Sequence, residues 1–325
     1  MRIRLISDLH MSINENYPLV LDGSCDYTLI AGDLGPDFRK NSRWLRKNVK
    51  RGAFVSGNHD AYDREITIED AKEFYHRKFP ALSDVAYLDC SVGVVSKPIS
   101  EKVLLVGDVL YTDYAYRISP MDDGLPEDLV VRNNITRASP KFRGSYMNDF
   151  NYFTRSDKYA DSWEKDHPRK IGRFCLSPRH YLDHFRKAFS EIERIVESNP
   201  DKDVILMTHH CLSERCISRE FSKDELNASY VSPRDKWIAD HENIRLVLSG
   251  HVHHRGDFRV GNALYVLNPL GYCPYGENLE GENGPAFDPN LFVDTETWEI
   301  ERHPYSNEKW ERRFKADSAM MSMFL

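Results

Sequence analysis

The sequence predicts an α/β fold, and three observations carry that expectation. Apolar runs of strand length recur along the chain, a strongly periodic helix lies among them, and the last such runs follow one another with no helix between. The runs are "IRLIS" at 3–7, "YTLIA" at 27–31, "AFVS" at 53–56, "VLLVG" at 103–107, "DVILMT" at 203–208 and "RLVLSG" at 245–250. They are continuous rather than alternating, as suits strands buried on both faces. The clearest helix runs from Pro178 to Ser198. Ser177 is its N-cap, Pro178 stands in the first turn, and Leu182, Phe185, Phe189, Ile192 and Val196 repeat at helical spacing until Asn199-Pro200 ends it. The late runs, "ALYVLN" at 263–268 and "LFVDT" at 291–295, suggest a second set of antiparallel pairings.

Residues 111–177 break this rhythm, being rich in Tyr, Arg, Asn and Asp and poor in aliphatic runs. A connection that long has a job, such as a lid or binding loop, or is a mobile insertion. The expected organisation is therefore a single domain over 1–303 carrying a lid-like insertion at about 111–177. A C-terminal tail over 304–325, mixing charges with "MMSMFL", would be docked or frayed.

Composition narrows the class. With 325 residues, 41% hydrophobic and 29% charged, the chain has the make-up of a globular protein large enough for an enclosed site. A net charge of -7 argues against a surface for long duplex nucleic acid and leaves small anionic substrates open. No stretch has the length and apolarity of a membrane span or an export signal. Six cysteines scattered without a CxxC pair fit reduced thiols, so the expected compartment is the cytoplasm.

The polar groups that follow the runs are the chemically informative part. They are Asp8 and His10 in "SDLH", Asp33 in "AGD", Asn58, His59 and Asp60 in "GNHD", His209 and His210 in "MTHH", and His251 and His253 in "SGHVHH". In open α/β sheets the carboxyl ends of strands share a crevice, so these distant side chains can converge on one metal centre. One such motif alone reads as turn chemistry. Five in series, each at a strand end, are hard to assign to turns.

This ordered series, Asp8-x-His10, Gly32-Asp33, Gly57-Asn58-His59-Asp60, His209 and Gly250-His251-x-His253, resembles the calcineurin-like metallophosphoesterase superfamily, with further likeness to bacterial cytosolic members in "MNDF" at 147–150 and "NPLGY" at 268–272. The resemblance implies a two-sheet β-sandwich flanked by helices, a four-layer αββα arrangement, with a dinuclear metal site at one edge. By matching position, Asp8, His10 and His253 would hold the first metal, Asn58, His209 and His251 the second, and Asp33 would bridge them. His59 matches the catalytic histidine, with Asp60 as its orienting partner. Asn148 and Asp149 are substrate-side candidates through the same likeness. His210 and Arg143 join them, His210 as a loop neighbour of His209 and Arg143 as one of the cations, with Arg132, Arg137 and Lys141, in a stretch free of acidic residues.

Imidazole and carboxylate donors without thiolate favour two divalent ions from Mn, Fe, Co, Ni and Zn. Two dications against Asp8, Asp33 and a metal-bridging hydroxide leave about one net positive charge for a phosphate, and neutral Asn58 preserves it. The expected activity is metal-dependent hydrolysis of a small phosphomonoester or phosphodiester, the bridging hydroxide attacking in line. Two rivals remain: a nuclease for single-stranded nucleic acid using the same centre, which needs an electropositive aromatic groove in the insertion, and a noncatalytic metal-binding scaffold. Oligomeric state leaves no trace in the sequence.

Overall fold

Strands that are apolar on both faces need cover on both sides, and the chain supplies it in four layers. The computed structural model describes residues 1–301 apart from 16–18, 20, 22–23, 63–66, 82, 140–146, 153, 157–172, 276 and 278–286. The tail expected at 304–325 lies outside the described residues, as do Lys141 and Arg143.

The first sheet contains β1 (Arg2–Ile6), β2 (Tyr27–Ala31), β3 (Arg51–Val55) and β4 (Asp84–Tyr87), paired in parallel in that order. The second is built round β6 (Val103–Asp108), β9 (Asp203–Thr208), β10 (Ile244–Ser249) and β12 (Ala263–Leu267), again parallel, with β5 (Ser96–Pro98) antiparallel on β6 and β11 (Gly256–Val260) antiparallel on β12. A small two-stranded sheet, β7 (Thr154–Ser156) with β8 (Arg173–Cys175), stands apart. Antiparallel β13 (Phe292–Asp294) and β14 (Glu299–Glu301) extend the first sheet beyond β1.

The late runs therefore do not form one antiparallel set. Ala263–Leu267 is parallel to β10 in the second sheet, because the tight reversal at Gly261 and Asn262 lets β11 turn the chain round before it. Phe292–Asp294 joins the other sheet.

Side-chain alternation sorts each strand between two cores. Ile3, Leu5, Leu29, Ala31, Ala53 and Val55 of the first sheet meet Leu105, Ile205, Met207, Leu246, Leu248 and Val266 of the second in the space between the sheets. The outward residues Val106, Val204, Leu206 and Val247 pack with Phe185, Phe189, Ile192 and Val196 of the helix Pro178–Glu197. This is the periodic helix read from the sequence, and His180 Nδ1 accepts the backbone N–H of Ser177 at 2.9 Å to close its first turn. Ile6, Ile30 and Phe54 face Leu45 and Val49 at the helix Phe38–Asn48 on the opposite side, where Asp37 accepts from the N–H groups of Arg39 and Lys40. The result is the αββα sandwich.

The described part of the insertion is packed. Helices Glu127–Ala138 and Asp149–Tyr152 help form a core with Tyr111, Tyr114, Ala138, Met147, Phe150 and Tyr181. Its aromatic composition, which broke the aliphatic rhythm, is what fills that core.

Leu246 is fully buried between the sheets, so Leu246→Ala is expected to lower the unfolding free energy by about 2–5 kcal/mol. Urea unfolding should show a lower midpoint at unchanged slope.

Candidate metal centre

Because the central strands of both sheets are parallel, the loops after β1, β2, β3, β9 and β10 leave from one edge of the sandwich. Backbone bonds lace these loops together: Asp8 N–H donates to Gly32 O at 3.0 Å, His10 N–H to Asp33 O at 2.9 Å and Gly250 N–H to His209 O at 3.0 Å. The chain turns sharply into the loops after β1, β2 and β10. Asp8, His10, Asp33, His251 and His253 all take left-handed backbone angles, with φ of 52°, 41°, 55°, 71° and 45°. Such conformations cost a non-glycine residue about 1–3 kcal/mol each and cluster where function requires them. The glycines in Gly-Asn and Gly-His have a plain cause. A Cβ on Gly57 would lie 2.0 Å from Asp33 Oδ1, and one on Gly250 would lie 2.5 Å from Asp8 Oδ2.

The seven expected ligands converge. Asp8, His10, Asp33 and His253 each present a ligand atom, all within 4.8 Å of one another. The Nε2 atoms of His10 and His253 are 2.9 Å apart, and His253 Nε2 is 3.4 Å from Asp8 Oδ1. On the other side His209 Nε2 is 2.9 Å from Asn58 Oδ1, and the His251 ring centre lies 5.0 Å from that of His209. Asp33 stands between the groups, its Oδ2 3.6 Å from His10 Nε2 and 3.5 Å from His209 Nε2.

These donors fit divalent cations. Asp8 Oδ2, Asp33 Oδ2 and His251 Nε2 are buried without a hydrogen-bond partner among the described residues, an arrangement that is expensive unless something positive sits among them. Burial, reinforced by the charges of Asp8 and Asp60, pushes Asp33 well above the usual carboxylate range, so its charge needs a compensating cation. Burial also holds His10 and His251 far below the ordinary histidine range, which keeps them in the neutral, ligating form. His209 Nδ1 lies 2.9 Å from Ala31 O, a contact that requires the N–H there and leaves Nε2 as the donor atom.

Around the ligands the structure departs from expectation. His59 donates its backbone N–H to Asp33 Oδ1 at 2.8 Å, and its ring stacks on Tyr62 at 4.0 Å. The partner of its Nε2 is the hydroxyl of Tyr272, at 3.0 Å. Asp60 does not orient His59: its Oδ1 accepts Gly35 N–H and its Oδ2 accepts Gly57 N–H, both at 2.7 Å, so the carboxylate ties two loops together. Burial, then the charges of His253 and His209, bring the His59 pKa down to about 3.

The substrate-side candidates separate. Asn148 is exposed, whereas Asp149 is buried, accepting from Asn58 Nδ2 at 3.1 Å, from Tyr181 OH at 2.7 Å and from Tyr62 OH. It therefore holds Asn58 and offers no free oxygen to a substrate. His210 is completely buried, its ring centre 4.1 Å from that of His251, and neither ring nitrogen has a hydrogen-bond partner among the described residues. Tyr272 and Glu277 were missed by sequence reasoning. The signal for Tyr272 was its place after β12, whose carboxyl end opens on the same edge as β10.

A second group, Cys90, Asp108 and His184, also lies within 4.8 Å. Asp108 is already satisfied there, by Leu110 N–H at 2.7 Å, Cys90 N–H at 2.7 Å and His184 Nε2 at 2.6 Å. That clasp ties the end of β6 to the long helix.

Residues 1–255 match the family model described as calcineurin-like phosphoesterase. No curated protein matches the chain in sequence. Among solved structures, a phosphopantetheinyl hydrolase from Mycobacterium tuberculosis is similar at 14% identity and a TM-score of 0.59, with 86% of this chain and 93% of that chain covered. A provisionally assigned 5'-nucleotidase of Staphylococcus aureus is similar at 9% identity, TM-score 0.40, over 97% of this chain and 58% of its own. The Thermus thermophilus sulfate thiohydrolase SoxB is similar at 13%, TM-score 0.30, over 74% and 33%. At these identities the first likeness speaks for the fold alone, and it is the same sandwich. With the family model spanning residues 1–255, all five motif loops included, the chain belongs to the calcineurin-like phosphoesterase family.

Proposed function

We propose that the chain hydrolyses a small phosphomonoester or phosphodiester with two divalent ions, drawn from Mn, Fe, Co, Ni and Zn, held by Asp8, His10, Asp33 and His253 on one side and by Asp33, Asn58, His209 and His251 on the other. The observation that carries this reading is Asp33 Oδ2, buried, unpartnered and nearly equidistant from His10 and His209. When bound, such ions supply Lewis acidity, activating a water for attack and neutralising phosphoryl charge.

The protein's own groups do the rest. Asp8 and Asp33 bring two negative charges against the four of two dications, and neutral Asn58 adds none, which leaves the pocket attractive to a phosphate. His59, neutral at physiological pH by its depressed pKa, acts as a hydrogen-bond donor to a phosphoryl oxygen, and becomes an imidazolium able to protonate a leaving group only once an anion lies beside it. Tyr62 and Tyr272 fix its ring from the face and from Nε2. The nuclease reading finds little support among the described residues. Tyr111 and Tyr114 of the insertion are buried and cannot stack bases, and Arg137 is engaged by Asp122 at 3.6 Å.

His59→Ala is expected to lower kcat by about 10²- to 10⁴-fold with two ions still bound, checked on a panel of mono- and diesters beside elemental analysis. A wild-type rate in that variant would remove His59 from the chemistry. Asp33→Asn should behave in two opposite ways. It should lose metal and activity together. In chelator it should melt higher than the wild type, by about 1–2 °C for each kcal/mol relieved. The sign follows from the raised pKa: the stability Asp33 contributes is full below its ordinary 3.8 and is lost as pH rises through the folded value, so at neutral pH the metal-free wild type carries a penalty that Asn lacks. Melting curves with and without chelator, from pH 5 to 8, check both halves.

A further inference from the structure

Glu277 lies outside every motif of the family series, yet its Oε2 is 2.7 Å from His253 Nδ1. The same oxygen accepts the backbone N–H of Tyr272 at 2.8 Å. The loop that carries both residues is anchored to the segment holding Asp8 and His10: Leu270 N–H donates to Ser7 O and Gly271 N–H to Asp8 O, both at 3.0 Å. Asn14 completes the anchor, donating to Leu9 O at 2.9 Å and Gly271 O at 2.7 Å while accepting Cys273 N–H at 3.0 Å. A carboxylate delivered by this loop therefore has a fixed place relative to the first group of ligands.

We propose that Glu277 is a positioning residue for His253, and that it makes the Asp8–His10–His253 side the tighter of the two cation sites. The inference rests on the dinuclear reading above and adds to it an inequality between the half-sites. An ionised carboxylate only accepts hydrogen bonds, so Nδ1 carries its proton toward Glu277, and Nε2, facing His10 Nε2 and Asp8 Oδ1, is the nitrogen left to a cation, which would displace any proton there. A carboxylate behind an imidazole also makes it a stronger donor. On the other side, the partner of His209 Nδ1 among the described residues is the neutral carbonyl of Ala31. Two histidines with different partners, one charged and one neutral, give the two sites different affinities. Tyr272 joins the same device, since its hydroxyl reaches His59 while its N–H holds Glu277.

The experiment is a titration of the metal-stripped full-length chain with Mn(II), and separately Zn(II), against a chromogenic chelator, for wild type, Glu277→Ala and Glu277→Gln. Wild type should bind two ions with unequal affinity. Glu277→Ala should weaken the tighter site about 10- to 100-fold and leave the weaker one within about twofold. Glu277→Gln, whose amide oxygen still accepts from Nδ1, should recover most of that loss. Equal weakening of both sites in Glu277→Ala, or two sites unchanged from wild type, would overturn the proposal while leaving the dinuclear reading intact. A wild-type protein that binds neither ion would overturn that reading, and this inference with it. Melting of the three metal-free proteins separates general destabilisation, which would lower the transition without selecting one site.

Discussion

The carboxylate of Asp33 is a negative charge buried between two sets of imidazoles with one oxygen left bare, and the architecture of this edge is arranged round it. Burying an ion without a counter-charge is among the most costly things a fold can do. The chain nevertheless builds the site in advance. Gly57 has no side chain because Asp33 occupies the space, His59 gives its backbone N–H to Asp33 Oδ1, and Asp33 itself adopts a left-handed backbone to reach inward. The left-handed backbone and the bare oxygen weaken the metal-free protein, and the His59 N–H offsets only part of that cost. Together they describe a pocket whose stability is completed by binding.

The two sheets explain how such a site can be held rigidly. All its donors sit on loops, which are ordinarily the least ordered parts of a fold. Here each loop begins at a parallel strand locked between two cores, and neighbouring loops are joined by backbone hydrogen bonds from Asp8 to Gly32, from His10 to Asp33 and from Gly250 to His209. Asp60 adds a clamp from its two oxygens to Gly35 and Gly57. Asp60 thus fixes the loops, whereas the family likeness implied that it orients the His59 ring.

Continuous apolar runs revealed the central strands because burial on both faces leaves a compositional mark. Short edge strands leave none. Ser96–Pro98 and Glu299–Glu301 are three residues each, and Gly256–Val260 is only partly covered, so composition there is set by solvent. The candidate metal ligands were picked out for a different reason, since each follows a recognisable strand and the order of their types resembles a known series. Glu277 and Tyr272 were not, because they reach the site through an irregular loop whose path no periodicity encodes. Asp149 was named as a substrate-side candidate, and its bond to Asn58 was not foreseen. Its aromatic surroundings, Tyr62 and Tyr181, come from two separate segments that sequence spacing does not connect.

The bond to Asp149 accounts for the asparagine at position 58. Donation from Asn58 Nδ2 to Asp149 Oδ1 fixes the amide so that Oδ1 is turned toward His209 Nε2. A carboxylate at 58 would present an oxygen where Nδ2 now stands, 3.1 Å from a second carboxylate in a fully buried place, and one of the two would be forced to hold a proton. Asparagine is therefore favoured from both directions: toward the proposed cations, where it would ligate without cancelling charge, and toward the insertion, where a donor meets Asp149. The insertion reaches the centre through this bond, making residues far from the five motifs responsible for the orientation of one of its ligands.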